Sequence, residues 1–146
     1  MQLRIIALLL LPLVGMAAFP NDANPGGEFV LIGNRTSLDS VDKPAIQAIF
    51  RGEQKFWSNR ENVIVVLPSS RADFGDRFAL EVLQQDRTGL QRHWLALVFQ
   101  GRARAPVFLH STQAIIDFVR NTPGAVALVP AASPGIPRDL VVKQRQ

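Results

Sequence analysis

The run Val63-Ile64-Val65-Val66-Leu67 constrains this chain more than any other stretch. Its five residues are all apolar and four are β-branched, with no alternation between a wet and a dry face. Such a run reads as a strand buried on both sides, the kind found inside α/β sheets. Pro68 has no N–H to give to a ladder and closes the strand. The polar loop Ser69-Ser70-Arg71 follows, and Phe74, Phe78 and Val82 then recur at four-residue spacing, which predicts a helix with one apolar face. In a strand–loop–helix unit the loop lies at the carboxyl end of the strand, beside the free N–H groups of the helix's first turn. Open α/β sheets place their ligands there.

Other apolar runs repeat the pattern. Phe29-Val30-Leu31-Ile32 predicts a first central strand, residues 125–129 a third, and Leu140-Val141-Val142 a fourth. Between the first two, Asp42 as N-cap, Pro44 in the first turn and Gly52 as the stop predict a helix with Ala45, Ile46, Ile49 and Phe50 inward. Phe56 and Trp57 are expected to cover the route to Val63. A strand–helix–strand passage predicts neighbouring parallel strands joined by a right-handed crossover. Thr88-Gly89-Leu90-Gln91 predicts a capping box opening a further helix, with Leu90, Trp94, Leu97 and Val98 on its apolar side. Ser111 predicts the cap of a helix carrying Ala114, Ile115, Phe118 and Val119, which Thr122-Pro123-Gly124 ends. Apolar strands alternating with helices predict a three-layer α/β domain, a mostly parallel sheet with helices on both faces.

The first residues read differently. Arg4, an apolar block over residues 5–14 and the small residues Gly15-Met16-Ala17-Ala18 predict a secretory signal peptide over residues 1–18. The block is too short for a span, which takes about 20 apolar residues, so no stable membrane span is expected after cleavage. Residues 19–27 are a polar lead-in and residues 28–146 the domain. Cleavage leaves 146 − 18 = 128 residues, enough for one hydrophobic core. There is no cysteine, so an exported domain of this sequence holds together by packing alone.

Without Arg4 the balance is 15 basic against 12 acidic side chains, a net +3 that is too mild to point to nucleic acid. The charge is unevenly placed. Between Asp86 and Asp117 there is no acid, while Arg87, Arg92, Arg102 and Arg104 lie there with His93 and His110. That run is either a solvated face or a surface that docks on an acidic partner. With two histidines, no H-x-x-H, no Walker loop, no dinucleotide fingerprint and no G-x-S-x-G, neither a metal, a cofactor nor catalysis is expected.

Several segments taken together are more specific. They are Ala45-Ile46-Gln47-Ala48-Ile49-Phe50-Arg51-Gly52 ahead of Trp57, the strand and helix ending in Phe78, Trp94 with Phe99-Gln100-Gly101, and Thr122-Pro123-Gly124-Ala125-Val126-Ala127. In this order and spacing they resemble the periplasmic substrate-binding proteins of phosphate ABC transporters, above all their short single-lobe relatives, over nearly all of residues 29–142. The resemblance implies one lobe of a type II periplasmic-binding-protein fold, export to the periplasm, and phosphate or another oxyanion as ligand. Full-length members hold phosphate between two lobes with a Ser/Gly/Thr-rich loop at a helix start. The corresponding stretch here is residues 70–75, where the leading serines and Gly75 match the pattern and Asp73, with Asp76 just beyond, departs from it.

The candidate anion ligands are Ser69, Ser70 and Arg71, together with Asn34, Arg35, Thr36 and Ser37 after the first strand. If the two strands are adjacent and parallel, these loops converge at one edge of the sheet, and Arg forks with hydroxyls suit an oxyanion. The competing reading is local. Ser70 and Asp73 form a capping box, Arg71 pairs with a nearby Asp, and Thr36 and Ser37 stabilise a turn. Two functions stay open: a periplasmic protein that binds a phosphate-like solute for transport or sensing, and a solute-free lobe that docks on an envelope protein or transporter through Arg87, Arg92, Arg102 and Arg104.

Overall fold

The computed structural model describes residues 29–145. The expected signal peptide and lead-in lie outside them. Strand β1 (Phe29–Gly33) is followed by a two-residue strand β2 (Ser40–Val41) and helix α1 (Lys43–Phe50). Then come β3 (Ile64–Pro68), α2 (Gly75–Leu83), α3 (Arg87–Phe99), β4 (Val107–Leu109), α4 (Thr112–Asn121) and β5 (Ala125–Pro130). A 3-10 turn (Arg138–Leu140) leads to β6 (Lys143–Gln144).

The main sheet has four strands in the order β1-β5-β3-β4. β3 runs parallel to both β5 and β4, so most of the sheet is parallel, as expected. β1 is the exception: it pairs antiparallel with β5, Leu31 opposite Leu128 and Gly33 opposite Val126. The expectation that β1 and β3 are adjacent and parallel therefore fails. β5, last of these four in the chain, is inserted between them. The insertion is locked by an exchange of backbone bonds, Asn34 N–H to Ala125 C=O at 3.0 Å and Gly124 N–H to Asn34 C=O at 2.7 Å.

Both faces of the sheet are covered. In β5, Ala125 through Val129 are all buried, although successive side chains point to opposite faces. Crossover handedness explains how. The chain steps from β3 out to β4 through α2 and α3, and from β4 back past β3 to β5 through α4. If both steps are right-handed, the two sets of helices lie on opposite faces. On one side Phe78 of α2 meets Phe50 of α1 and Phe29 of β1 edge-on, at ring-centre distances of 5.7 and 6.0 Å. From α4, Ile115, Ile116 and Val119 are wholly buried.

The helix caps follow the sequence in part. Asp42 accepts from Ala45 N–H at 2.9 Å and Ser111 from Ala114 N–H at 3.2 Å, as expected. At α3 the cap is Asp86, which accepts from Gly89 N–H, not a box opened at Thr88. Val98, expected on the apolar side with Leu90 and Trp94, is exposed. The expected fourth strand is also changed: Val141 makes only an isolated bridge to Ile32, and the two-residue β6 beyond it pairs in parallel with β2. That tail lies along the outer edge of β1, where Val142 N–H reaches Leu31 C=O at 2.9 Å. It thereby shields an edge that would otherwise offer unpaired backbone groups. No helix among the described residues is long and apolar enough to cross a membrane.

Candidate functional site

Antiparallel β1 separates the two loops that the sequence reading brought together. Residues 69–71 leave the carboxyl end of β3, while residues 34–37 leave β1 at the opposite edge, beside the start of β5. Asn34 there has a packing role. Its side-chain amide donates to the carbonyls of Val119 and Arg120 at 3.0 and 2.9 Å, satisfying groups that the end of α4 leaves open. Arg35 and Ser37 are exposed and hold positive φ (52° and 54°), and Asn59 donates to Arg35 C=O at 2.8 Å. Thr36 is buried against Gly33. We expect Asn34→Ala to cost about 1 kcal/mol in urea unfolding, since one half-buried and one exposed carbonyl lose their donor. An unchanged midpoint would remove this role.

The corner at the end of β3 is built differently. Ser69 N–H donates to Leu109 C=O at 2.8 Å, tying the loop to β4. Ala72 N–H turns back to Ser69 C=O at 3.0 Å, and Gly75 N–H to Ala72 C=O at 3.1 Å, so the chain winds tightly into α2. Arg71 N–H reaches the Ser69 hydroxyl at 3.3 Å, and the Arg71 side chain is exposed. α2 starts at Gly75 with Phe74 in the cap position and no side-chain cap bond, so Ser70 and Asp73 do not form the expected capping box. Asp73 is exposed.

Arg87, from the first turn of α3, enters this corner. Its Nη1 donates to Ser70 C=O at 2.8 Å, and its Nε lies 2.9 Å from an Asp76 carboxylate oxygen, close but misaligned for a hydrogen bond. A Cβ added to Gly75 would stand 3.1 Å from its Nη2 and would push the guanidinium back slightly from the helix start. The Arg87 side chain keeps 29% of its exposure and Asp76 keeps 75%. Arg77, one residue further along α2, lies over the Phe29 ring with its guanidinium carbon 5.3 Å from the centroid. The corner thus has two arginines, Arg71 and Arg87, two serines, a helix start without a side-chain cap, and two exposed carboxylates, Asp73 and Asp76.

Arg87 was expected on a docking surface with Arg92, Arg102 and Arg104. Its side chain instead belongs to the corner, at the opposite end of α3 from residues 102–104. Arg92, Arg102 and Arg104 are exposed. His93 is half-buried, with Nε2 2.8 Å from Arg51 C=O, where it covers the end of α1. Among the described residues no group of three His, Cys, Asp or Glu side chains is placed to hold a metal. Sequence reasoning missed Arg87 as a corner residue, because no local pattern ties the start of α3 to Gly75; only the tight turn after Gln84 does.

No protein-family model matches the chain, and no curated protein matches it. Solved structures do. An ABC-type phosphate transport receptor from Vibrio cholerae superposes with TM-score 0.55 at 13% identity, over 80% of this chain and 46% of that one. A Clostridium perfringens protein assigned as a phosphate ABC transporter substrate-binding protein, solved with bound phosphate, gives 0.57 at 13% identity, over 81% and 44%. PstS from Borrelia burgdorferi gives 0.59 at 11% identity, over 82% and 47%. At these identities the likeness is one of fold, and the chain spans less than half the length of these proteins. It is a mixed α/β lobe with the fold of phosphate ABC transporter substrate-binding proteins.

Proposed function

We propose that this chain is a periplasmic binding-protein lobe that takes a phosphate-like oxyanion at the corner between β3 and α2. The observation that carries the reading is the Arg87 guanidinium held against Gly75 at an uncapped helix start. Arg71 and the hydroxyls of Ser69 and Ser70 supply further donors, and the phosphate-bound Clostridium perfringens neighbour has the same fold. Export by a signal peptide over residues 1–18 belongs to this proposal. Asn34, Arg35, Thr36 and Ser37 are at the other edge and are not part of it.

Asp76 sets a condition on the guest. A carboxylate beside the anion repels a fully ionised one but accepts a hydrogen bond from a protonated oxygen. Phosphate keeps such a proton near neutral pH and sulfate does not. The test is a thermal-shift titration of phosphate-stripped protein, since a ligand that binds only the folded state raises its melting temperature. Phosphate should raise Tm saturably and sulfate should not. Arg71→Ala should weaken phosphate at least tenfold, and Asp76→Asn should admit sulfate. No shift with any oxyanion would favour the second reading, a solute-free lobe that docks on an envelope protein through Arg92, Arg102 and Arg104. The Asp76–Arg87 contact, which already fills part of the corner, is the observation on that side.

A further inference from the structure

At the edge of the sheet opposite that corner, the amino ends of β3 and β4 border a cavity of about 490 Å³. This is within the range of small-molecule sites, about 300–1,000 Å³. Its apolar wall includes Ile64, Trp94 and Phe118, and Lys55, Arg102 and Arg104 also line it. No acidic side chain lines it, and no carboxylate among the described residues pairs with any of these three cations. Three basic groups from two separate loops are thus brought to one apolar hollow, with no carboxylate partner among the described residues. Trp94 in this wall is 3% exposed.

We propose that this cavity is a second binding site, for an amphipathic small molecule with an apolar body and a single anionic head. The apolar body lies against Ile64, Trp94 and Phe118, and the head meets Lys55, Arg102 and Arg104. Inorganic phosphate is a poor guest here, because it buries no apolar surface and leaves the wall wet. The neutral analogue of the guest is also poor, because it leaves the cations unmatched.

Octanoate is the probe, with octanol as its neutral analogue, in a titration followed by tryptophan fluorescence and melting temperature. Octanoate should bind saturably and octanol at least tenfold more weakly. Arg102→Gln with Arg104→Gln should weaken octanoate at least tenfold; both side chains are exposed, so the fold is not at stake. Ala105→Trp, which places a ring in the cavity lining, should do the same. Arg71→Ala should leave octanoate binding unchanged, and inorganic phosphate should not compete, so this site and the corner stand or fall separately. Absence of octanoate binding, equal binding of octanol, competition by phosphate or an unaffected double variant would each overturn the proposal.

Discussion

Gly124→Ala is expected to destabilise the fold by on the order of 4 kcal/mol, the sum of backbone strain and overpacking. Gly124 holds φ at +80°, a region that L side chains rarely adopt, and a Cβ there would run into the carbonyl oxygen of Asn62. That oxygen is backbone, so no side-chain rotation relieves the overlap. The glycine cannot easily move either. Its N–H donates to Asn34 C=O at 2.7 Å, while its C=O accepts from Ile64 N–H at 3.0 Å and from the buried Trp57 Nε1 at 2.9 Å. One residue therefore joins the exit of β1, the entry of β3, the Trp57 loop and the start of β5. Gly101→Ala is the control. It has a similar φ of +66° but open space where the Cβ would go, so it should cost only about 1–2 kcal/mol. Urea unfolding of both variants decides the matter: equal losses would mean that the contact with Asn62 is not the cause.

The same junction shows where sequence reading stops. β3 was legible because a run without alternation has only one comfortable place, inside the sheet. The caps at Asp42 and Ser111 were legible because capping is local chemistry, a side-chain oxygen meeting an N–H three residues on. The direction of β1 was not. Its apolar run is equally satisfied beside β3 or beside β5, and the choice is made by long-range bonds between Asn34, Gly124 and Ala125. β4 was missed for another reason. As a three-residue edge strand with Phe108 exposed, it carries too little burial to mark itself.

The site follows the same division. The loop over residues 69–71 could be placed at the end of a strand because strand, loop and helix are consecutive. Asn34, Arg35, Thr36 and Ser37 were grouped with it only through the assumed parallel pairing, and they go when the pairing goes. Arg87 was read as a docking residue rather than a corner one, and Lys55 was not singled out, since each reaches its place from another part of the chain. What the sequence shows is the chemistry available. Which groups share an edge is decided by topology.

Phe78→Ala is the second large effect, and it ties the core to the corner. Phe78 is wholly buried, edge-on to Phe29 and Phe50, and its N–H continues α2 by donating to Phe74 C=O at 2.9 Å. Truncating a buried phenylalanine costs about 3–5 kcal/mol through lost transfer energy and the cavity left behind. Two aromatic contacts are lost here as well, which places the expected value in the upper half of that range. Phe78→Leu retains most of the volume and should cost less than half as much. The local consequence differs from the global one. Phe78 lies one turn from Gly75 and, with the buried Phe74 in the cap position, anchors the start of α2, so its loss should loosen the helix end against which Arg87 lies. In hydrogen exchange, Phe78→Ala should raise exchange at residues 75–79 more than at α4, whereas Asn34→Ala should do the reverse. Uniform exchange across both helices would show that the core unfolds as one unit and that the corner has no separate anchor.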